Sequence, residues 1–455
     1  MIRPRSISGL REFLPAEQIA FNRCVEIARK HFELAGAVPL STPAFELREV
    51  LLAKEGGDSV DRQVYGVHRL ADGGEDTDYA LRFDLTVPMA RFVAQHAGEL
   101  TFPFRRYQIQ PVWRGERAQA GRYREFVQCD IDVVGDQTLS LINDAEIPAI
   151  IHGIFKEMNI GPFQIRMSNR KLLEGFLSGS GIPTDAIADA MRVIDKIDKV
   201  GPDEIRKELA ETYSPAEDQL DRIMAYVSLR GPAEEVIEKL LALAPADSLN
   251  DTYAQGVEEL TTVARAVASL GLTSETFVLD LSVARGLSYY TGTVYETTLV
   301  DHPGIGSICS GGRYDNLAGL YTNRKLPGVG ISIGLTRLVT RLMEAGLLPV
   351  EQATTAPVLV TVLDQDKLDR YLAVAGRLRK AGIGAEVATE QRKVGQQFKY
   401  ADRKGFTLAL IAGEDEFAAG TWQVKTLATG EQVVVEEAAL VETIQQMLGL
   451  EKLGG

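Results

Sequence analysis

Two neighbouring extended segments carry the side chains best suited to binding a ligand, because side chains alternate between the two faces of a strand. In residues 122–133, one face collects arginines, an aromatic ring, an amide and carboxylates, namely Arg122, Arg124, Phe126, Gln128, Asp130 and Asp132. In residues 104–114, one side carries Arg106, Gln108, Gln110 and Arg114. The opposite sides are mainly apolar. The pattern therefore predicts a hairpin with one packed face and one polar face.

The polar face has two interpretations. It could be an ordinary solvent-exposed face, which antiparallel sheets commonly have. A solvated face usually favours Lys, Glu and Thr, whereas this one has Phe126 and several arginines, which can bind an anion through two hydrogen bonds. The connecting loop, GERAQAGRY, is also rich in arginine, which favours a triphosphate ligand. Pro111 cannot donate to a strand ladder, so we expect it at a bulge or an unpaired position.

Residues 104–135, FRRYQIQPVWRGERAQAGRYREFVQCDIDVVG, closely resemble the second signature motif of the class II aminoacyl-tRNA synthetases, in the form typical of the histidyl-tRNA synthetase family. The resemblance implies that Arg114 holds the α-phosphate of ATP and the carboxylate of the amino acid. It implies that Glu116 contacts the adenine side and that Phe126 stacks on the adenine ring. Gln128 and Asp132 would accept hydrogen bonds from the N–H groups of a histidine side chain.

An amide beside a carboxylate suits an imidazole, which offers two donors when charged, or one donor and one acceptor when neutral. Buried polar groups also reject analogues that leave them unpaired. The segment LRFDLTVPMARF (81–92) resembles a family segment in which Asp84 and Thr86 would bind the α-amino group. The alternative is a strand carboxylate, Asp84, paired with Arg82 or Arg91.

The segment VARGLSYYTGTVYE (283–296) contains RGLxYYTG, which is characteristic of the family and its paralogues. The resemblance implies that Arg285 lies across the α-phosphate from Arg114, where two guanidinium groups would stabilise the charge that grows on it. Losing one such donor costs on the order of 3 kcal/mol. Tyr289 and Tyr290 would close the histidine pocket. Ser288 stands where the family usually has Asp, which changes the local hydrogen bonding. The alternative, a core strand with two tyrosines, leaves the arginine unexplained.

Two later segments match further family signatures. In SGGRYDNL (310–317), paired glycines allow close approach of the backbone to a substrate, and Arg313 either takes part in the site or holds the loop by pairing with Asp315. GVGISIGLTRL (328–338) resembles the third class II motif, in which Arg337 would lie over the adenine and reach the γ-phosphate. Near the N-terminus, GLREFLP resembles the opening signature with Glu12 in place of the usual Asp, and it implies a homodimer.

The remaining pattern predicts an α+β fold. Residues 16–36 have helical spacing, residues 172–270 form a helical insertion, and both lie within a catalytic core of residues 1–346 whose sheet is antiparallel, as in class II synthetases. Residues 347–356 are a predicted linker. Residues 357–455 alternate strand with helix, which predicts a small α/β domain with a largely parallel sheet. This domain resembles the anticodon-binding domain shared by the histidyl, glycyl, threonyl and prolyl enzymes.

A local basic stretch favours RNA binding by that domain. Residues 367–405 contain ten Lys and Arg against four Asp and Glu, although the chain as a whole has a net charge of −14. Arg392, Lys393 and Lys399 would neutralise phosphates, and Tyr400 could stack on an unpaired base. The alternative is an amphipathic helix whose aromatic residues are core, which we favour for Phe398. The acidic balance excludes a non-specific nucleic-acid binder.

Composition also bounds the compartment. The sequence has no apolar run of about 18 residues that could span a membrane, and its N-terminus lacks the apolar core of a secretory leader. Cys24, Cys129 and Cys309 are far apart and have no metal-ligand spacing, which fits a reducing compartment. We therefore expect a cytoplasmic protein without a membrane partner.

Two functions of different classes compete. One is a histidine–tRNA ligase with ATP, L-histidine and tRNA(His) as substrates, and with Mg²⁺ accompanying the ATP at ligands that spacing does not identify. The other is the histidine-binding regulatory subunit of ATP phosphoribosyltransferase, a non-catalytic paralogue. That paralogue typically lacks the C-terminal domain and often loses ATP-site arginines, whereas Arg114, Glu116, Arg285 and Arg337 are all present here. A synthetase for another amino acid is disfavoured by RGLSYYTG and GGRYD. None of the five histidines is expected to be catalytic.

Overall fold

A computed structural model describes residues 2–52, 63–72, 77–117, 121–246, 248–284, 289–350, 353–389 and 393–450. The chain divides into two compact units. The first comprises Met1–Glu12 with Cys24–Leu348, and the second comprises Phe13–Arg23 with Pro349–Gly455. Within the described residues, no helix is long and apolar enough to cross a membrane.

The strands are Val38–Pro39 (β1), Phe45–Leu47 (β2), Gly66–Val67 (β3), Tyr79–Leu81 (β4), Phe104–Trp113 (β5), Glu125–Val134 (β6), Phe163–Asn169 (β7), Arg230–Gly231 (β8), Phe277–Asp280 (β9), Thr293–Leu299 (β10), Ser307–Tyr314 (β11), Gly328–Gly334 (β12), Val358–Val360 (β13), Ala385–Val387 (β14), Leu408–Ile411 (β15), Thr421–Thr426 (β16) and Gln432–Glu436 (β17).

The α-helices are Pro15–Leu34 (α1), Arg48–Leu52 (α2), Thr86–Gln95 (α3), Ile142–Met158 (α4), Arg170–Gly179 (α5), Ile187–Ile194 (α6), Ile197–Val200 (α7), Pro202–Tyr213 (α8), Glu217–Val227 (α9), Ala233–Leu243 (α10), Asp251–Ser269 (α11), Leu335–Glu344 (α12), Leu368–Lys380 (α13), Val394–Lys404 (α14), Glu414–Ala419 (α15) and Leu440–Met447 (α16). Short 3₁₀ turns lie at 70–72, 184–186, 303–305, 317–320 and 365–367.

A nine-stranded sheet forms the centre of the first unit. Its order is β1-β5-β6-β12-β11-β10-β7-β9-β8. The six strands from β5 to β7 are antiparallel to their neighbours, whereas the β1–β5 and β7–β9 pairs are parallel. The predicted antiparallel sheet is therefore confirmed. A separate three-stranded sheet has the order β2-β4-β3.

The predicted hairpin is formed by β5 and β6. Its register sets Arg106 opposite Asp132, so the polar side chains of the two strands share one face, as their alternation predicts. Pro111 lies opposite Val127 without a shift in register. The Val127 amide donates to Thr336 Oγ1 at 2.9 Å, away from β5, so the pair is not joined by ladder hydrogen bonds. The prediction of an unpaired position for Pro111 is confirmed, and no bulge is needed.

The segment expected to be a helical insertion is helical from α5 to α11, and its one described strand, β8, has two residues. In the second unit, β14, β13 and β15 are parallel and alternate with α13 and α14. The unit continues with an antiparallel hairpin, β16–β17, which the sequence analysis did not anticipate. Tyr371, Phe417 and Trp422 pack edge to face in its core, with ring centroids 5.2 to 5.8 Å apart.

Candidate active site

Two adjoining cavities open on the polar face of the large sheet. The larger has a volume of about 350 Å³ and is lined by Asp84, Thr86, Arg114, Gln128, Asp130, Asp132, Asp195, Tyr289, Tyr290, Tyr295, Glu296, Ser307, Ser310, Gly311, Tyr314, Gly330, Ile331 and Ser332. The smaller, of about 290 Å³, is lined by Arg114, Glu116, Gly121, Arg122, Tyr123, Phe126, Gln128, Ser307, Ile308, Cys309, Ser310, Ser332, Gly334 and Arg337. Arg114 and Gln128 line both. The predicted ATP-binding and histidine-binding residues that the structure describes are thus divided into two groups that meet at Arg114.

Asp84 is a buried carboxylate at the start of α3. Its Oδ1 accepts the Val87 amide at 3.2 Å, while Oδ2 has no hydrogen-bond partner among the described residues. Burial raises the pKa of Asp84 to about 6, although Arg114 and Arg106 lower it. A carboxylate oxygen left open at a cavity is suited to a cationic group such as an α-ammonium.

The alternative pairing of Asp84 is not found within the described residues. The Arg82 guanidinium instead donates to the carbonyl oxygens of Thr42 and Pro111, at 2.6 and 2.9 Å. The Arg91 guanidinium binds Glu46 at 2.9 Å. Both arginines therefore serve the surrounding structure and leave Asp84 to the cavity.

Asp132 is held in place from two sides. Arg106 Nη2 lies 2.6 Å from one of its oxygens, and the Tyr314 hydroxyl donates to the other at 2.8 Å. Burial raises the pKa of Asp132, and Arg106 partly offsets this. A Cβ atom at Gly330 would lie 2.0 Å from Asp132 Oδ1. Only glycine at this position lets β12 pass so close to the carboxylate.

Gln128 presents an acceptor to the cavity. Its Nε2 donates to Ser332 Oγ at 2.7 Å, while its Oε1 is buried without a partner among the described residues. β6 and β12 are paired so that Gln128 lies opposite Gly334 and Asp130 lies opposite Ser332. Ser332 thereby fixes the orientation of the amide, and the carbonyl oxygen of Gln128 is left for a ligand.

Tyr289 and Tyr290 line the same cavity, with ring centroids 4.8 Å apart at an interplanar angle of 65°. Thr86 is hydrogen-bonded to Tyr289, and Tyr289 to Tyr290. Burial raises the pKa of both phenols, so they remain neutral hydrogen-bonding groups at neutral pH. A Cβ at Gly312 would lie 2.9 Å from Tyr290 Cδ1. Gly312 therefore makes room for Tyr290.

Arg114 lies at the junction of the two cavities. Its Nε donates to the Phe83 carbonyl at 3.0 Å, and its guanidinium carbon lies 5.1 Å from the centroid of the Phe126 ring. These contacts hold the guanidinium over the aromatic ring in a cation–π arrangement. At the other end of the smaller cavity, Arg337 Nη2 donates to the Ile305 carbonyl at 2.7 Å. Glu116 lies 3.8 Å from Arg122.

The interpretation of Arg313 needs correction. Its guanidinium binds the buried Asp144 through Nε at 3.0 Å and Nη2 at 2.6 Å, whereas Asp315 is 3.8 Å away. Asp144 belongs to α4, which is far from Arg313 in sequence, so local spacing does not reveal this pair. The main partner of Arg313 is therefore Asp144, and the arginine fastens the sheet to α4.

Some predicted residues lie elsewhere. Arg285, with Ser288, and Arg392 are outside the residues that the structure describes. Lys393 and Lys399 are exposed at α14. The half-buried Tyr400 donates its hydroxyl proton to Glu386, which also binds Lys404 at 3.0 Å. Phe398 is half-buried beneath Lys425, whose Nζ is 4.8 Å from the ring centroid.

The sequence analysis did not assign several polar residues of the larger cavity, among them Asp130, Asp195, Glu296 and Ser332. The alternation of side chains along β6 places Asp130 on the polar face, so the sequence could have assigned this residue to the site. Asp195 follows α6 in the helical insertion, and only the folded chain brings it to the cavity.

Comparisons with known proteins agree with this geometry. A model of the histidyl-tRNA synthetase family matches residues 9–338, and a model of an anticodon-binding domain matches residues 357–447. The chain belongs to the histidyl-tRNA synthetase family. It is 48% identical over 461 residues to a histidine–tRNA ligase of Xanthomonas campestris pv. campestris, covering 98% of this chain and 96% of the relative. A histidine–tRNA ligase of Stenotrophomonas maltophilia is 47% identical, with 100% of both chains covered.

Solved structures agree with the fold. Histidyl-tRNA synthetase from Nostoc sp. PCC 7120 superposes with a TM-score of 0.90 and 42% identity, covering 98% of this chain and 100% of that chain. A Bacillus halodurans C protein described as an ATP phosphoribosyltransferase regulatory subunit/histidyl-tRNA synthetase has a TM-score of 0.71 and 21% identity, which is evidence of the shared fold alone. The predicted fold class, a class II catalytic domain with a C-terminal anticodon-binding domain, is confirmed.

Proposed function

We propose that the chain is a histidine–tRNA ligase. It activates L-histidine with ATP to form histidyl-adenylate and diphosphate, and it then transfers histidine to the 3′-terminal ribose of tRNA(His). The observation that carries this function is the junction of two cavities at Arg114, with Asp84, Gln128 and Asp132 on one side and Phe126 on the other. This layout suits a reaction that joins an amino acid to a nucleotide phosphate.

Catalysis would be mainly electrostatic. Arg114 and Arg285 flank the α-phosphate and stabilise the charge that develops when the carboxylate attacks it. No general base is required, since the histidine carboxylate is already a nucleophile. Phe126 stacks on the adenine, Glu116 contacts the adenine side, and Arg337 reaches the γ-phosphate. Both Phe126 and Arg337 line the smaller cavity, in support of these roles.

The larger cavity would bind histidine. Asp84 and Thr86 bind the α-ammonium group, Arg114 and Arg285 bind the carboxylate, and Gln128 and Asp132 bind the imidazole. Tyr289 and Tyr290 close the pocket over the ring. The open acceptors on Asp84 and Gln128 support this arrangement, because a buried acceptor is costly unless a ligand satisfies it.

Magnesium would enter with ATP. Among the described residues, no group of three or more His, Cys, Asp or Glu side chains is placed to hold a metal ion. Mg²⁺ is commonly bound by one or two carboxylates together with substrate phosphates rather than by a protein cage. The described part therefore offers no all-protein cage for the metal, and we assign no catalytic step to it.

The C-terminal residues 357–455 would bind the anticodon arm, joined by residues 347–356 to the catalytic core of residues 1–346 with its insertion at 172–270. Arg392, Lys393 and Lys399 would contact RNA phosphates. Lys399 and Tyr400 line a surface cavity of about 540 Å³ with Gln396, Arg403 and Lys404, a cationic lining that supports phosphate binding. The Tyr400 hydroxyl is bonded to Glu386, so its ring is the part that would contact RNA.

A homodimer would cover an apolar face of the three-stranded sheet. The register places Phe45, Leu47, Tyr79 and Leu81 on one side of that sheet, and Phe45, Leu47 and Tyr79 are 55%, 41% and 55% exposed. A second copy of the chain can bury such a face against its own. Cys24, Cys129 and Cys309 are buried free thiols, which support a cytoplasmic location.

Charging of tRNA(His) tests the function. We expect the purified protein to form histidyl-tRNA from radiolabelled histidine, ATP and tRNA(His). Arg285→Ala should abolish charging but weaken histidine binding far less, because Arg114 still binds the carboxylate and Asp84, Gln128 and Asp132 still bind the rest of the amino acid. The competing regulatory function predicts histidine binding without any histidyl-tRNA, and that result with wild-type protein would overturn the proposal. The retained ATP-site residues and residues 357–455 favour the ligase.

A further inference from the structure

A buried carboxylate in the larger cavity is not used by the roles described so far. Asp130 lies between Gln128 and Asp132 on the same face of β6 and is only 2% exposed. Its Oδ1 has no hydrogen-bond partner among the described residues, and it lines the cavity. A buried, open carboxylate oxygen is costly unless a ligand satisfies it.

The cations around Asp130 are bonded to other groups. Arg106 acts on Asp130 electrostatically, but its Nη2 binds Asp132 at 2.6 Å and its Nη1 donates to Gln108 at 3.2 Å. The α-ammonium and carboxylate of an amino acid would match Asp84 and Arg114. Glu296 lies 3.6 Å from Arg166. Arg82, the other cation that acts on Asp130, donates to the carbonyl oxygens of Pro111 and Thr42. Neither guanidinium therefore forms an ion pair with Asp130 among the described residues, and this carboxylate is left for a cationic ligand.

The hydrogen-bonding groups of the cavity also favour a cationic side chain. Ser332 donates to Asp130, so its oxygen is free to accept the Gln128 Nε2 proton at 2.7 Å. This relay turns the Gln128 carbonyl oxygen towards the cavity, beside Asp130 and Asp132. The result is a cluster of acceptors. A neutral imidazole has one donor and one acceptor, whereas an imidazolium has two donors, so the charged ring is the better match.

We propose that Asp130 is a specificity-determining residue that, together with Gln128 and Asp132, selects the histidine side chain as its imidazolium ion. The inference rests on the proposed function, since it concerns the same substrate. The second ring proton comes from the Asp130 carboxyl where that group is protonated before binding, and from solvent where it is ionised. Burial raises the pKa of Asp130 to about 7, while Arg106 lowers it and Asp132 raises it. An imidazolium beside this carboxylate would lower its pKa again, and the carboxylate would raise that of the ring.

Several charged and titratable groups on neighbouring elements interact electrostatically with the Asp130 carboxylate. The charged and titratable groups concerned are Arg82, Asp84, Arg106, Cys129, Asp132, Tyr290 and Cys309. Burial raises the pKa of both thiols well above its usual value, so they stay neutral. Tyr290 also lines the cavity as a neutral donor, and the protonated form of Asp130 is another. Either group could donate to a neutral ring, which is the rival arrangement to the imidazolium.

The test compares histidine with 1,2,4-triazol-3-ylalanine, whose ring has a similar shape but is too weakly basic to be protonated at neutral pH. We expect Asp130→Asn to lower the ratio of kcat/KM for histidine to kcat/KM for the triazole, measured by ATP–diphosphate exchange, by about 10- to 100-fold. Asp136→Asn is the matched control. It removes one carboxylate just beyond β6, where Asp136 binds Arg324, and should leave the ratio unchanged.

A fall in both kcat/KM values by the same factor, or no change in either, would overturn the inference and leave the proposed function standing. If the wild-type protein catalyses exchange with neither amino acid, both the inference and the proposed function are overturned. A measurement that needs no variant is ¹⁵N NMR of ring-labelled histidine bound to the wild-type protein at neutral pH. Two protonated ring nitrogens are expected, and a neutral tautomer would contradict the inference.

Discussion

At the residue scale, the main feature is a group of three buried carboxylates: Asp84, Asp130 and Asp132. Each is desolvated, and burial is the largest cause of the raised pKa of each. Such groups are costly in the protein without substrate, because the charged form is poorly solvated. Binding sites commonly trade stability for function in this way. The cost predicts a measurable dependence of stability on pH.

Replacing Asp130 by Asn should stabilise the substrate-free protein at neutral pH. The pKa of Asp130 is about 7 in the folded protein, and a carboxyl in an unfolded chain has a pKa of about 3.9. The stabilising contribution of the protonated form is therefore full below about pH 4 and is lost as the pH rises through about 7. Thermal unfolding should therefore show a higher free energy of unfolding for the variant than for the wild type. The difference should grow from about pH 4 to about pH 7 and reach a few kcal/mol, on the order of 1.4 kcal/mol per pKa unit.

The control substitution, Asp136→Asn, should change the stability in the opposite direction. Hydrogen bonding to Arg324 lowers the pKa of Asp136, so its contribution is present above the unfolded pKa and is lost as the pH falls. Asp136→Asn should therefore be slightly less stable than wild type near neutral pH and equal to it in acid. An advantage of Asp130→Asn that does not vary with pH would show that desolvation of this carboxylate is not its cause.

At the scale of elements, the site is built where β6 and β12 pair and where the helical insertion meets the sheet. Arg166 on β7 is buried and binds Asp198 in α7 at 2.9 Å and Asp280 on β9 at 2.9 Å. Asp195, three residues before Asp198, lines the larger cavity. The Arg166–Asp198 pair therefore fixes the insertion segment that borders the substrate pocket.

Arg166→Met should destabilise the protein strongly, by about 3–5 kcal/mol, because it removes a buried cation that binds Asp280 at 2.9 Å and lies 3.6 Å from Glu296. Asp198→Asn should cost about 1 kcal/mol or less, since the Asp198 side chain is 44% exposed. The free energy of unfolding from urea denaturation of both variants provides the comparison. Equal effects of the two substitutions would contradict the assigned burial of the network.

The features that could be predicted are those that depend on residues close together in the sequence. The faces of β5 and β6 follow from alternation, and the Arg106–Asp132 pair follows once the hairpin register is known. The Arg313–Asp144 pair could not be predicted, since it joins residues 169 positions apart. The β16–β17 hairpin could have been found, because TWQVKT and QVVVE are β-rich runs separated by a Gly-containing turn. Asp195 could not, because its place depends on how the insertion folds back.

At the scale of the whole molecule, the apolar side of the three-stranded sheet predicts self-association. Leu47→Glu places a charge on this face, and burying it in a dimer would be costly. Sedimentation velocity should show twice the mass of one chain for the wild type and a monomer for the variant. Leu270→Glu is the matched control, because Leu270 is 47% exposed at the end of the helical insertion and should leave the dimer intact. A wild-type monomer would contradict the prediction.

Amino-acid-dependent ATP–diphosphate exchange tests the central claim most directly, since it reports the chemistry at the junction of the two cavities without tRNA. The wild-type protein should catalyse exchange with L-histidine, and each of the other amino acids should support at most a small fraction of that rate. Exchange with a different amino acid would contradict the assignment of the pocket formed by Gln128, Asp132 and Tyr290. Folded protein that exchanges with none of them would contradict the ligase function itself.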